Sequence, residues 1–213
     1  MGSEYHLWEL EVARDTSSPY HVSPSIKPHH KRILDVGCGM GQTLIAANLA
    51  PDVSAYGVDP DASAIEAGSR IAPSNIHLSV GSGEELHFPD SFFDLVLSRV
   101  ALPYMDIARA LSEMQRVLRP GGDIWLVLHP PAMLRERTLE CITQRQLRGM
   151  AFCGWLAVNS LLFNLFGRQL RHRGHTETVQ TQTGIRKALA RAGFECMKLE
   201  QGRFFVLEAR KRN

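Results

Sequence analysis

A glycine-rich turn is the part of this 213-residue chain whose residue types and spacing point most directly to chemistry. The hydrophobic run 33–36 leads into glycines at positions 37, 39 and 41, and an amphipathic stretch follows. Glycines let a backbone turn sharply and approach a ligand closely, so we expect a ligand-binding turn between a strand and a helix. A nicotinamide fingerprint would need its third glycine at position 42, and Gln42 stands there, which counts against a dehydrogenase.

Four further segments follow the turn in order. The first, 56–60, places Asp59 at the end of a second strand, where its acceptor-only carboxylate suits a diol and could also cap a helix that begins near Pro60. The others are Gly81-Ser82-Gly83-Glu84-Glu85-Leu86-His87-Phe88-Pro89, Asp94-Leu95-Val96-Leu97-Ser98-Arg99-Val100-Ala101-Leu102 and the helix-and-turn segment 111–122.

Together these segments resemble the class I S-adenosylmethionine-dependent methyltransferases, over about residues 32 to 130 and, by pattern, over the final helix and strand pair. The resemblance implies S-adenosyl-L-methionine as the cofactor. The cofactor-binding residues that it implies are Asp35, Gly37, Cys38, Gly39, Gly41, Asp59, Pro60, Ser82, Gly83, Glu84, Ser98, Arg99 and Val100.

Each motif has a part in that resemblance. The glycine turn and Asp35 would lie near the methionine portion, Asp59 would accept hydrogen bonds from both ribose hydroxyls, and the end of the fourth strand would lie beside the sulfonium and the acceptor. Ser82 departs from the family, which usually has an aspartate there for the adenine amino group. Because a serine hydroxyl is shorter and uncharged, we expect that contact to be weaker or shared with Glu84.

Methyl transfer from a sulfonium mainly requires that donor and acceptor be held in line and that water be removed. His129, after the fifth strand, is our candidate for a base, and Arg99 is a candidate for holding an anionic acceptor. The alternative for each is a polar side chain at the rim of the cleft without a chemical role.

The elements that must position these residues alternate between short β-branched runs and amphipathic stretches, which predicts βαβ units. We expect an α/β fold, a Rossmann-like three-layer sandwich with a seven-stranded, mostly parallel sheet. Asp106 is a candidate N-cap for a helix over 107–118, and Thr181 or Thr183 for a later one. The last two strands are separated by only two residues, so the last strand should be antiparallel. The strands are predicted at 33–36, 55–58, 76–80, 93–98, 123–129, 196–200 and 203–209, with earlier helices at 42–50 and 61–71.

We predict a single methyltransferase domain over 1–213. Its parts are an N-terminal cap (1–31), a cofactor-binding core (32–130), an insertion (131–180) and a final helix and strand pair (181–213). The insertion contains a largely apolar stretch, 150–167, flanked by arginines. Its length would suit a membrane span, but the final strands must rejoin the sheet, so we expect no transmembrane span. We predict that the insertion is a lid that encloses a small acceptor, with Tyr5, Trp8, Tyr20 and His21 closing the other side; a homodimer surface or an interfacial helix are the alternatives.

The distribution of charge and the placement of cysteines limit which partners and which compartment we expect. Up to Pro131 the chain has 9 basic and 16 acidic residues, and after it 15 and 6, so the two parts carry net charges of −7 and +9. The four cysteines are scattered and the N-terminus has no continuous apolar segment, so we expect a cytoplasmic protein with neither disulfide framework nor secretory signal. The run 172–177 contains a His-x-x-His pair, but Gly174 interrupts it, and we expect no metal site.

The sequence therefore predicts a methyltransferase for a small-molecule acceptor, with O-, N- or C-methylation open. A non-catalytic module that binds S-adenosylmethionine or S-adenosylhomocysteine is the first alternative, and it is favoured by the Ser82 departure. A methyltransferase for RNA or another nucleic acid is the second, and we disfavour it because no aromatic RNA-binding signature accompanies the arginines.

Overall fold

A computed structural model describes residues 3–172, 176–202 and 204–212. One seven-stranded sheet runs through it in the order β3-β2-β1-β4-β5-β7-β6. The strands are β1 (Arg32–Val36), β2 (Ser54–Asp59), β3 (Ile76–Val80), β4 (Phe93–Arg99), β5 (Leu118–Leu128), β6 (Phe194–Gln201) and β7 (Phe205–Lys211). The first five pair in parallel, while β7 runs antiparallel to both β5 and β6. The predicted fold class and the antiparallel last strand are confirmed.

Seven helices accompany the sheet in the described residues. They are α1 (Ser3–Arg14), α2 (Gln42–Ala46), α3 (Ala62–Ser69), α4 (Ile107–Val117), α5 (Pro131–Thr143), α6 (Leu147–Phe166) and α7 (Gln182–Arg191). Two of the predicted N-caps are present: the Asp106 carboxylate accepts the Arg109 N–H at 3.2 Å, and the Thr181 hydroxyl accepts the Gly184 N–H at 3.1 Å. Such caps satisfy backbone donors that the first helical turn leaves without partners.

Two helices end earlier than the sequence predicts. The helix expected over 42–50 stops at Ala46, and Asn48 has a left-handed backbone with φ of 46°, which ends a helical run. The helix after Asp106 ends at Val117 because Leu118 is already extended and pairs with Phe93 of β4.

The two faces of the sheet bury separate apolar clusters, as period-2 alternation along each strand requires. Leu34, Val96 and Leu126 face the cluster that includes α4 and α7, whereas Ile33, Leu95 and Val127 face the cluster that includes α1 and α2. Neighbouring strand residues therefore point to opposite layers, and the sheet is the middle of three.

The insertion consists of α5, α6 and a return segment, which we call the strap (168–172 and 176–180). Buried side-chain amides join α6 to the strap: Asn159 Nδ2 donates to the carbonyls of Thr176 and Glu177 at 3.1 and 3.0 Å, and its Oδ1 accepts the Leu170 N–H at 2.6 Å. These contacts hold α6 against the domain by one face.

Candidate active site

A cavity of about 600 Å³ opens where the strand order reverses between β1 and β4, at the carboxyl ends of the strands. Open α/β sheets bind ligands at such switch points, and pockets of roughly 300–1,000 Å³ hold ligands of drug size. The lining residues are Trp8, Glu9, Val12, Tyr20, Gly37, Gln42, Thr43, Asp59, Pro60, Asp61, Ser82, Gly83, Glu84, Arg99, Val100, Ala101, Tyr104, Met105 and Phe204.

The glycine turn forms one wall, and its shape depends on glycine at position 37. Gly37 has φ of +76°, and a Cβ there would lie 2.1 Å from the Cβ of Ala101. The N–H groups of Gly37 and Cys38 both donate to the Val58 carbonyl, at 2.8 and 3.1 Å. These two backbone bonds hold the turn to the end of β2, and any side chain at position 37 would displace it.

Asp59 lines the cavity with its carboxylate already oriented. Its Oδ2 accepts the Gly39 N–H at 2.8 Å, and its Oδ1 accepts the Asp61 N–H at 2.9 Å. Each oxygen has a second lone pair, so the group can still accept hydrogen bonds from a ligand. The alternative role of helix cap is wrong for Asp59, because Asp61 caps α3 and accepts from the N–H groups of Ser63 and Ala64.

Ser82 and Glu84 form a unit on the cavity wall. The Ser82 hydroxyl donates to Glu84 Oε2 at 2.5 Å, and Glu84 Oε1 accepts the Asp106 N–H at 3.0 Å. Between them Gly83 allows close packing, since a Cβ there would lie 2.6 Å from Val36. A carboxylate thus stands next to the serine that replaces the family's aspartate.

Not all residues at the end of β4 line the cavity. Ser98 is fully buried below the cavity and its hydroxyl donates to the Val36 carbonyl at 2.9 Å, so it ties β4 to β1 and does not line the cavity. Arg99 and Val100 do line it. Val100 has φ of 62°, a conformation that is strained for a β-branched residue and recurs at functional sites.

The opposite wall comes from α1 and the segments that follow it. Trp8 and Tyr20 line the cavity with their rings edge to face at 6.2 Å, and Phe204, between β6 and β7, joins them. Glu9 forms an ion pair with Arg99, and both side chains are largely buried. Arg99 therefore holds α1 over the cavity, and an anionic acceptor would have to compete with Glu9.

Asp35 lies beneath the glycine turn rather than on the cavity surface. Both carboxylate oxygens are buried without a hydrogen-bond partner in the described parts of the chain. Burial first, and then the charge of Asp59, raise the pKa of Asp35 to about 7. The group is thus near its midpoint at neutral pH, which suits a site that receives positive charge.

His129 lies behind the cavity wall. Its imidazole contacts the Tyr104 ring edge to face at 5.2 Å, and Tyr104 lines the cavity. Burial first, and then the charge of Arg137, lower the pKa of His129 to about 4, so the ring is neutral at pH 7. Its role as a base stays a prediction, and it would require Tyr104 to move.

Of the predicted cofactor residues, those on the lining are Gly37, Asp59, Pro60, Ser82, Gly83, Glu84, Arg99 and Val100, while Asp35, Cys38, Gly39, Gly41 and Ser98 support them from below or behind. The sequence reasoning missed Gln42, which the dinucleotide pattern presented only as an absent glycine. Its Oε1 is buried without a partner among the described residues.

Some of the residues predicted in the N-terminal segment line the cavity, and the described residues of the insertion do not. Trp8 and Tyr20 lie on the wall as expected, His21 does not, and the side chain of Tyr5 falls outside what the structure describes. Among the described residues, none from 131–180 lines the cavity. The insertion reaches its wall only through the strap: the Thr176 hydroxyl donates to the Tyr104 carbonyl at 2.6 Å, and Gln169 Nε2 donates to the Met105 carbonyl at 3.0 Å.

One group of potential metal ligands, His29, His30 and Asp123, lies elsewhere. Both Asp123 oxygens already accept from cations, with Lys27 Nζ and Arg210 Nε at 2.6 and 2.8 Å, so the group is a partly exposed ion network around a buried carboxylate. His175 of the His-x-x-His run falls outside the described residues.

Comparison with known proteins agrees with this geometry. Residues 33–122 match the family described as "Methyltransferase domain". Demethylmenaquinone methyltransferase of Symbiobacterium thermophilum is 43% identical over 127 residues, 56% of this chain and 47% of the relative. Malonyl-[acyl-carrier protein] O-methyltransferase of Dechloromonas aromatica is 37% identical over 116 residues, 53% of this chain and 41% of the relative. The chain thus spans less than half the length of either.

Solved structures match over more of the chain. A chain of the complex between the Haloferax volcanii Trm112 methyltransferase activator and a methyltransferase superposes with a TM-score of 0.65 at 15% identity, covering 99% of this chain and 92% of that chain. At this identity the match shows the fold. The glycine motif and the family match agree over residues 33–122, which match a methyltransferase domain, and the sheet has the fold of solved S-adenosylmethionine-dependent methyltransferases.

Proposed function

We propose that this chain binds S-adenosylmethionine in the cavity at the ends of β1, β2 and β4 and transfers its methyl group to a small, neutral, largely apolar acceptor. The orientation of Asp59 carries the proposal. Two backbone N–H groups, from Gly39 and Asp61, fix its carboxylate at the cavity wall and leave one lone pair on each oxygen. That is the arrangement a vicinal diol such as a ribose requires.

The remaining lining groups fit the rest of the donor. Glu84 offers a carboxylate where an exocyclic amino group would need an acceptor, and its bond from Ser82 holds it there. Gln42 has a buried Oε1 without a partner in the described residues and can accept from the ammonium of the methionine portion. Asp35, with its raised pKa, would regain its negative charge when a cation binds above it.

The wall formed by Trp8, Tyr20 and Phe204 favours a flat or apolar acceptor, since aromatic rings prefer edge and stacked contacts with other rings. Arg99 is already neutralised by Glu9, which disfavours an anionic acceptor. The two named relatives differ in acceptor, one being named for demethylmenaquinone and the other for malonyl-[acyl-carrier protein]. The aromatic wall favours the first of these chemical classes.

S-adenosylmethionine supplies a methyl group on a cationic sulfonium. The chain's residues hold the donor and the acceptor in line and keep water out, a contribution that needs no covalent step by the protein. The carbon–sulfur bond breaks as the acceptor's electron pair forms the new bond to carbon. Glu9 and Asp61 are the lining carboxylates that the proposed donor contacts do not use, and an acceptor that must also lose a proton could pass it to one of them.

A non-catalytic binding module is the alternative, and the position of His129 behind Tyr104 favours it, because the histidine predicted as base does not reach the cavity. The two functions share donor binding and differ in turnover. Formation of S-adenosylhomocysteine with any member of a panel of phenols, hydroquinones and amines supports the enzyme. Tight binding without turnover across neutral and anionic acceptors would support the module.

Donor binding is tested by calorimetric titration with S-adenosylhomocysteine. We expect Asp59→Ala to weaken binding about 100-fold, since two hydrogen bonds to a charged group contribute about 1.5 kcal/mol each. Asp52→Ala is the matched control, because Asp52 is an exposed carboxylate that precedes the same strand and pairs with Lys31. Equal affinities of both variants and the wild type would reject the proposed site. Asp59→Asn, which keeps the shape, separates loss of charge from collapse of the turn.

A further inference from the structure

An exposed apolar stripe runs along the full length of α6. Leu147, Met150, Val158, Leu161 and Leu165 recur at intervals of three, four or eight residues, which places them on one side of a helix, and each is between 39% and 78% exposed. The buried residues of the helix, Cys153, Leu156, Asn159, Ser160 and Phe163, occupy the opposite side. At 20 residues the helix is long and apolar enough to span a bilayer by length and composition, with 28% of its most apolar window buried.

The buried side rules out a crossing. Ser160 accepts the Val179 N–H at 3.0 Å, and Asn164 Nδ2 donates to the Val179 carbonyl at 3.0 Å. Together with the bonds of Asn159, these contacts fix one side of the C-terminal half of α6 to the strap. A helix held in this way can present its free side to a partner but cannot insert across a membrane.

The charges around the stripe indicate which partner fits. Exposed arginines lie at both ends of the helix: Arg145 just before it, Arg148 in its first turn, and Arg168 and Arg171 after its end. The helix itself contains no acidic residue, and the acids of the preceding α5 are Glu136 and Glu140. An apolar stripe bordered by arginines matches the surface of an anionic bilayer, where the apolar side chains enter the headgroup boundary and the arginines contact the headgroups.

A second copy of the chain fits less well. A two-fold interface through the stripe would bring arginine pairs of the two copies together, whether the two helices ran parallel or antiparallel, and no acid on α6 would compensate. The predicted homodimer through 150–167 is therefore an alternative outcome to be tested rather than our choice.

We propose that α6 is a membrane-docking surface: its exposed stripe and the flanking arginines bind the face of a lipid bilayer that contains anionic phospholipid. The strap connects this surface to the cavity, since Thr176 and Gln169 bond the Tyr104 and Met105 carbonyls on its wall. When α6 is docked on a membrane, the strap therefore lies between the membrane surface and the wall of the cavity. The docking surface itself depends on neither donor binding nor turnover.

Co-sedimentation with vesicles tests the proposal. We expect the wild-type chain to bind vesicles of phosphatidylcholine mixed with phosphatidylglycerol, to bind phosphatidylcholine alone much more weakly, and to be released by salt. Arg145→Gln, Arg148→Gln and Arg168→Gln should each reduce affinity about fivefold, the factor expected for one basic residue at an anionic surface. Leu161→Ser combined with Leu165→Ser should remove binding.

Matched controls use exposed residues on another element. Arg70→Gln and Ile71→Ser change an exposed arginine and an exposed apolar residue at the end of α3, and both should leave vesicle binding unchanged. Circular dichroism and urea unfolding check that each variant is folded, and titration with S-adenosylhomocysteine tests donor binding separately. Vesicle binding by a chain that does not bind S-adenosylhomocysteine would reject the proposed function and leave the docking surface standing.

Three results would overturn the proposal. Equal binding to both vesicle types by wild type and arginine variants would remove the role of charge. Absence of vesicle binding, together with a dimer in sedimentation velocity that the leucine variants dissociate, would assign the stripe to self-association. Absence of vesicle binding with salt-sensitive binding of RNA through the same arginines would assign them to nucleic acid.

Discussion

The strand ends that surround the cavity and the insertion that lies behind its wall are positioned by different kinds of contact. Around the cavity, backbone groups hold the functional side chains: Gly39 and Asp61 donate to Asp59, and Gly37 donates to the Val58 carbonyl. In the insertion, side-chain amides hold the backbone, with Asn159 bonding three groups of the strap. The positions of the cavity side chains therefore depend on a few glycines and strand ends. The position of the strap depends on side-chain amides from residues that are far away in the sequence.

This difference predicts where single substitutions cost stability. Asn159 is fully buried, and Asn159→Ala leaves the Glu177 carbonyl and the Leu170 N–H without this partner, while the Thr176 carbonyl keeps its hydrogen bond from Gln169 Nε2. We expect the free energy of unfolding to fall by about 4 kcal/mol, because each orphaned buried group costs about 1–3 kcal/mol. Urea unfolding followed by circular dichroism measures the change.

Asn75 is the matched control outside the insertion, at the amino ends of β2 and β3 and away from the cavity. Its Nδ2 also donates to two carbonyls, those of Ala50 and Val53, at a partly exposed loop where water can replace it. Asn75→Ala should cost about 1 kcal/mol. If both substitutions cost the same, amide bonding is no more important in the insertion than elsewhere in the domain, and the special role of amides in the insertion is rejected.

Buried carboxylates sharpen the comparison through pH. Asp35 has a folded-state pKa of about 7, above its unfolded value, so the folded protein binds the extra proton and stability falls as pH rises from about 4 to about 7. Between pH 5 and pH 8 this group alone removes at most about 3 kcal/mol. Asp35→Asn should flatten that decline, which urea unfolding at the two pH values would show.

Asp123 should behave in the opposite way. Burial alone would raise its pKa, but hydrogen bonds from Arg210 and Lys27 outweigh burial and lower it to about 2. The contribution of Asp123 to stability is present above pH 4 and lost as pH falls towards 2, so Asp123→Asn should destabilise most at neutral pH.

For Asp35, the contradicting result is a fall in the free energy of unfolding between pH 5 and pH 8 that is the same in Asp35→Asn as in the wild type. It would show that Asp35 does not titrate as its burial implies.

The mostly parallel sheet with its antiparallel last strand, the caps at Asp106 and Thr181, and the place of Asp59 could be predicted from the sequence, because each depends on local spacing or on a strand end. The part played by Phe204, which joins the wall from the far end of the chain, could not be, since no local pattern links it to Trp8. Gln42 was not predicted for another reason: the dinucleotide pattern considers position 42 only as the place of a third glycine, so the amide that stands there has no role in it.

The adenine side of the cavity offers the smallest expected effect and the closest test of how a motif departure is compensated. Glu84 takes the hydrogen bond of Ser82 and the Asp106 N–H, so its carboxylate is held at the wall where the family has an aspartate two residues earlier. Glu84→Gln removes the charge but keeps the shape, and we expect S-adenosylhomocysteine to bind about tenfold more weakly, the equivalent of 1.4 kcal/mol. Glu85→Gln is the matched control, because that neighbouring carboxylate does not line the cavity.

Ser82→Ala should give a smaller loss of affinity than Glu84→Gln, since the serine acts by holding Glu84 in place. A larger loss from Ser82→Ala would mean that the hydroxyl itself contacts the ligand and that the carboxylate is not the substitute.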